Sequence, residues 1–192
     1  MMKTMALDLW TRIGKTLQSE GFAGRARQRP TAFTRRRQVG LVGVVSIILN
    51  LVRRSTQLEL DAYIAHTFPE EENMTYTQQS FAEARQNLRP EAWQWLNDVF
   101  VQGFYENGDE QTYQGFRLLA VDGSVVELPN TVALRDHYGT AENQTPRGAL
   151  ARARSSALDD VLNGITLHTV LGRYDAAERD LAKAHLSAAL PL

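Results

Sequence analysis

Cysteine is absent from this 192-residue chain. That excludes a disulfide framework and any thiolate metal site, and it is compatible with a reducing cytoplasm. Long apolar runs are also missing. The most apolar stretch, VGLVGVVSIILNLV at residues 39 to 52, is broken by Ser46 and Asn50. It falls short of the ~20 apolar residues that cross a bilayer, so it reads as a buried helix and no membrane partner is expected. The N-terminus has no apolar block either: Lys3 is followed by Asp8, Trp10, Thr11 and Arg12, so no secretory signal is expected. Histidine is sparse. His66, His137, His168 and His185 are scattered without metal-ligand spacing and read as structural or surface residues. There is no internal repeat and no low-complexity tract.

Charge of one sign is missing locally. No acid stands between Glu20 and Glu59, an interval that holds Arg25, Arg27, Arg29, Arg35, Arg36, Arg37, Arg53 and Arg54. Residues 58 to 75 reverse this, with Glu59, Asp61, Glu70, Glu71 and Glu72 and no Lys or Arg. The formal net charge of −1 conceals both blocks, yet the local field is what a partner meets. The arginines fit a solvated linker or a phosphate-contacting surface. Arg35, Arg36 and Arg37 in succession suit a backbone clamp better than a base reader. Arg29, Arg35, Arg36, Arg37, Arg53 and Arg54 are the candidate DNA-binding residues.

What is present is apolar material, 43 % of residues, enough for one large or two small cores. The first half reads as helices: residues 4 to 19, then a basic linker GRARQRPTAFTRRRQ, then an apolar helix over 36 to 54. Thr56 with Glu59 has the spacing of a capping box, and Leu60, Tyr63, Ile64 and Phe68 follow on one helical face. Thr77 is a candidate cap for the next helix. Pro90 suits the first turn of another, with Trp93, Leu96, Phe100 and Phe104 as its apolar face and Asn107-Gly108 as its stop. The character changes over residues 107 to 115, the expected boundary between a helical region, 1–110, and a second domain, 111–192.

In the second half, FRLLAVDGSVVELP (residues 116 to 129) reads as two buried strands that meet at Asp122-Gly123. Asn130 and Gly139 bracket a short helix, TVALRDHY, and NQTPRG reads as loop. Asn163-Gly164 is a strong hairpin signal, pairing residues 149 to 162 with 165 to 171, and AAERDLAKAHLSAAL forms a closing helix. The class is α+β: helices first, then three antiparallel strands and a helix. Asp122 has two readings. Asp-Gly is a standard hairpin dipeptide. A carboxylate on a buried strand is instead a candidate ligand for a hard divalent cation.

LLAVDGSVVELPN resembles the first catalytic-acid motif of the IS-four-like DDE transposases of bacterial insertion sequences. Other stretches are similar in order: AFTRRRQVG with ILNLVRRSTQLELDAYI, SFAEARQNLRPEAWQWLN, DDVLNGITLHTVL and AERDLA, together covering residues 32 to 186. The resemblance implies an RNase H-like domain with the acid on its first, central strand. It implies cut-and-paste DNA transposition with Mg²⁺, and DNA as partner: terminal inverted repeats and target DNA. Asp122 matches the first metal-binding catalytic acid. The second and third acids belong after later elements, beyond Leu192. Asp159 and Asp160 precede the hairpin and do not match the second acid, and Asp160 matches a structural position. Glu178 and Asp180 fall on a helical first turn, where acids favour the macrodipole.

The reading that follows is an N-terminal portion of such a transposase, cytoplasmic and nucleoid-associated, that binds DNA but does not cut alone. A non-catalytic DNA-binding remnant, or an inhibitor dimerising with the full-length enzyme, is the alternative. A helical scaffold with no nucleic-acid role is the third. The helices at 77 to 107 read as core packing, with a helix-turn-helix reader of the inverted repeats as the rival assignment.

Overall fold

The structure, a computed structural model, describes residues 2–35, 39–50, 55–71, 73–106, 108, 110–141 and 149–189. Its class is α+β. The helices are α1 (Met2–Leu17), α2 (Glu20–Ala26), α3 (Leu41–Leu49), α4 (Thr56–Thr67), α5 (Gln78–Arg85), α6 (Glu91–Glu106), α7 (Val132–Tyr138) and α8 (Glu178–Ala189). The strands are β1 (Leu119–Glu127), β2 (Thr140–Ala141), β3 (Leu150–Asp160) and β4 (Ile165–Arg173). No described helix is long and apolar enough to cross a membrane. The chain divides into two compact units, Met1–Val99 and Phe100–Leu192. The division therefore falls inside α6, whereas the change of sequence character lies at 107 to 115.

The first unit is helical. Val39, Val44, Ile47, Leu60, Ile64 and Phe81 form its buried cluster, with Phe33, Tyr63, Met74 and Tyr76 packed around it. Gly43 permits the close approach of α3 to α4: a Cβ there would lie 2.8 Å from Val39 Cγ1 and 3.1 Å from Tyr63 Oη. Ser19 caps α2 by accepting the Phe22 N–H at 3.1 Å. Thr77 caps α5 as expected, accepting the Ser80 N–H at 3.2 Å. The expected Thr56–Glu59 capping box is not the device that starts α4. Thr56 is already helical and Ser55 is the N-cap, its carbonyl accepting the Glu59 N–H. The basic linker also begins later than its composition suggested, because α2 extends through Ala26.

The second unit is an antiparallel sheet with helices. β3 lies between β1 and β4, and β2 adds a short pairing at the Leu150 end of β3. The Asn163-Gly164 hairpin forms as expected: Gly164 takes φ +65° and donates its N–H to Asp160 O at 2.8 Å. Thr131 caps α7 and Gly139 follows it at φ +96°.

Two expectations about residues 116 to 129 are corrected. Asp122-Gly123 is not a turn between two strands. β1 runs unbroken from Leu119 to Glu127, with Asp122 opposite Ala157 and Gly123 opposite Ser156. Nor is it a buried strand: all nine residues are exposed. The Val-rich pattern is one of strand propensity, and the helices cover β3 and β4 instead. Among the described strands β1 pairs with β3 alone.

Asp160, at the end of β3, is fully buried. It accepts the Tyr105 hydroxyl at 2.7 Å, the Asn163 side-chain amide at 2.8 Å and the Asn163 N–H at 3.2 Å. Burial alone would raise its pKa, but the hydrogen bonds from Tyr105 and Asn163 outweigh that and hold the carboxyl below its usual value. Asn163 in turn receives the Gln111 N–H and donates to the Gln111 carbonyl. One carboxylate thus joins the end of α6, the hairpin and the segment leading toward β1. Beside it, Val101 packs with Leu158 and Leu167, and Arg117 stacks on Tyr105 at 3.8 Å.

Asp160→Ala removes the acceptor of the half-buried Tyr105 hydroxyl and of one Asn163 amide hydrogen and is expected to cost about 2–3 kcal/mol, measured by urea unfolding. Because the folded-state pKa lies below the unfolded one, this stabilisation is present at neutral pH. It is lost as pH falls below about 4, the unfolded Asp value, and through the folded value. The variant should lack that part of the acid dependence.

Candidate nucleic-acid and metal site

The arginine segment leaves α2 and runs without regular structure. It is pinned by a short bridge between Arg27 and Leu88, in which Gln28 N–H donates to Asn87 O and Arg89 N–H to Ala26 O, both at 2.8 Å. These bonds satisfy backbone groups that an irregular segment otherwise leaves to water. Arg29 donates to Asn87 Oδ1 at 3.3 Å. Arg29 and Arg35 line one groove of about 460 Å³ with Thr31, Phe33, Tyr76 and Asn87; Glu83 is on the same wall. Phe33 takes φ +59°, a conformation that costs a non-glycine residue roughly 1–2 kcal/mol. Two of the six candidate arginines are therefore brought together. Arg36, Arg37, Arg53 and Arg54 lie outside the described residues. Arg25, from the same run, is stacked on Trp95 with its guanidinium 4.5 Å from the ring centroid, and Phe22 packs on that ring.

Asp122 is the fourth residue of β1. Alternation of the pleat places it on the face of its partner Ala157. The opposite face carries Ser156 and Leu158 and is the one α8 and the end of α6 approach, through Ser156–His185 and the Val101–Leu158 packing. Asp122 consequently projects from the other, open face. Asp159 shares that face, one diagonal away, since it pairs with Ala120; such diagonal Cβ atoms are about 7–8 Å apart. Its carboxylate accepts the Thr166 hydroxyl at 2.6 Å. Glu178 passes over Gly123 on the helix-covered face and pairs with Arg154 at 2.8 Å. Among the described residues no three His, Cys, Asp or Glu side chains group as a metal site. Asp122 is thus a strand carboxylate without the companions that a two-cation phosphodiester site needs.

The histidines correct one reading. His168 and His185, far apart in the sequence and treated as scattered, meet with Nδ1 atoms 2.9 Å apart, and His185 Nε2 lies 2.9 Å from Ser156 Oγ. Strand β4 and helix α8 supply one each. Only the packing of α8 on the sheet, with Leu181 seated on Gly172, creates the pair. An Nδ1–Nδ1 hydrogen bond needs one donor and one acceptor, so both rings cannot be charged at once. Ser156 is 3 % exposed and His185 1 %, so these two are buried, while His168 is half-buried. Burial first, then the neighbouring His168, pushes the His185 pKa down, while Asp159 opposes both.

The putative transposase InsZ of Escherichia coli (strain K12) is 31 % identical to this chain over 110 residues. The match takes in 55 % of this chain and 36 % of InsZ, so the chain spans about a third of that relative's length. The similarity relates the chain to a transposase. No protein-family profile matches it, and no solved structure does.

Since His185 is harder to protonate folded than unfolded, the unfolded chain binds protons more readily below the ordinary His value of about 6.5. Stability contributed by neutral His185 is present above that pH and is lost as pH falls toward the folded value. Thermal melts between pH 7.5 and 5 should show a falling midpoint, and His185→Leu should flatten that slope.

Proposed function

We propose that the chain acts in DNA transposition as the opening part of an IS-four-like DDE transposase. Residues 1–110 are the helical region that binds element-end DNA, with Arg29 and Arg35 in the groove and Arg36, Arg37, Arg53 and Arg54 of the same charge run as phosphate contacts. Residues 111–192 begin an RNase H-like domain. The observation that carries this reading is the place of Asp122: mid-strand, on an open sheet face, not in a turn. The similarity to a protein named for transposition supports it.

The residues present do not fit a complete Mg²⁺ site. Asp122 would be one ligand, Asp159 is engaged by Thr166, and Mg²⁺ shared with a phosphate needs further carboxylates. Cleavage by this chain alone is therefore not part of the proposal; Mg²⁺ would enter only with a complete triad. The same ungrouped carboxylates favour a second reading, a DNA-binding remnant or an inhibitor that pairs with a longer transposase. Either role places the chain with bacterial nucleoid DNA.

Gel-mobility shifts with duplex DNA from the ends of the flanking element test this. Binding should be retained at low salt, with a log–log salt slope that shrinks by about 0.9 for each phosphate contact removed, as in Arg29→Ala and Arg35→Ala. Asp122→Ala should bind like the parent chain, and neither should nick the DNA with Mg²⁺. Failure to retard DNA at low salt would remove the DNA-binding reading, and Asp122-dependent nicking would remove the non-catalytic one.

A further inference from the structure

The groove of the first unit carries more than positive charge. Glu83 stands on the same wall as Arg29 and Arg35. A carboxylate there repels a run of phosphates. It suits an amino group instead, the donor that cytosine, adenine and guanine carry on their base edges. Glu83 Oε1 accepts the Gln79 side-chain amide at 3.2 Å, and one such bond leaves a carboxylate with further acceptor capacity. Two aromatic rings, Phe33 and Tyr76, also line the groove. Both rest on the buried cluster of the unit. Tyr76 is edge-on to buried Phe81, with ring centroids 6.4 Å apart. The rings are thus already ordered when a planar ligand arrives, which spares the entropy of fixing them. Phe33 keeps its place at φ +59°, and a strained residue on a concave surface directs attention to binding there. The volume, about 460 Å³, is in the range of small-ligand sites.

Cations, flat apolar rings and an acceptor for an amino group match the three parts of one nucleotide. We propose that the groove holds a single unstacked nucleotide, its phosphate on Arg29 and Arg35, its base against Phe33 and Tyr76, and the base amino group on Glu83. Bases stacked inside a duplex do not offer their faces to a side chain, so the nucleotide is an unpaired one. Base stacking on aromatic rings tolerates any base, and Glu83 supplies the discrimination: thymine has no exocyclic amino group and fits least well. The same chemistry is found in an unpaired nucleotide of a DNA strand and in a free nucleotide. The inference rests on the DNA-binding reading of this groove and adds what the groove selects.

Fluorescence anisotropy with labelled DNA tests this. One duplex is prepared blunt and with a short single-stranded overhang of cytosine, of thymine or of abasic sugar-phosphate, the last matching the charge without a base. The cytosine overhang should bind about tenfold tighter than the abasic one, the effect of one stacked base, and tighter than thymine. Glu83→Ala, at an exposed position, should bring cytosine down to thymine. Phe33→Leu keeps apolar volume against the core and should remove most of the cytosine-over-abasic gain. Each gain is a ratio within one variant, so a change in folding or charge does not imitate it. Displacement of the cytosine overhang by excess dCMP supports the pocket and adds free nucleotides to its ligands; persistence of that complex supports it for strand-borne nucleotides alone. A blunt duplex that binds, with cytosine and abasic overhangs equal, overturns this proposal and leaves the DNA-binding reading standing. So does a cytosine preference that neither substitution alters. Failure to bind any of these DNAs removes the DNA-binding reading itself, and the pocket with it.

Discussion

The second unit depends on one buried carboxylate. Asp160 has no access to water, so its charge is tolerable only because Tyr105 and Asn163 supply its hydrogen bonds. Those partners come from α6 and from the hairpin, and Asn163 passes the connection to Gln111. The bonds close the β3–β4 turn at a fixed residue. The turn sets where β3 ends, and β1 pairs along β3 with no shift from that end. A slip of one residue would turn Asp122 from the open face to the one beneath α8. The position of the candidate metal-binding acid is thus set by another aspartate whose own role is structural.

The sheet is built unevenly about β3. One face takes α8 and the end of α6, through Ser156–His185, Arg154–Glu178 and the cluster of Val101, Leu158 and Leu167. The face of Asp122 is open along β1. Val121 and Val125, on the other face of β1, are exposed as well: their strand propensity forms β1 while the core is made elsewhere.

In the first unit the arginine segment is held by backbone, not by charge. The Arg27–Leu88 bridge and the Gln28–Asn87 and Arg89–Ala26 bonds fasten it beside the connection between α5 and α6. The guanidinium groups of Arg29 and Arg35 are thereby presented on one groove, near Phe33 in its positive-φ conformation. Arg25 is spent differently, on the face of Trp95. Adjacent residues of one charge run therefore do separate work.

The sequence by itself determined the α+β order, the cap at Thr77, the Asn163-Gly164 turn and the acid-free arginine interval. These are local: a side-chain oxygen three residues before an N–H, a residue pair suited to positive φ, a run of one charge. Where signals were ambiguous over short range, tertiary structure decided. Asp122-Gly123 satisfies a hairpin turn and a strand equally well, and nine rungs with β3 made it a strand. Nothing local tells a Val-rich strand whether a helix will cover it, so β1 read as buried and is exposed. His168 and His185 became a pair only when α8 folded back on β4. Burial, strand order and side-chain meetings are relations between distant segments, which the packing of the whole chain fixes.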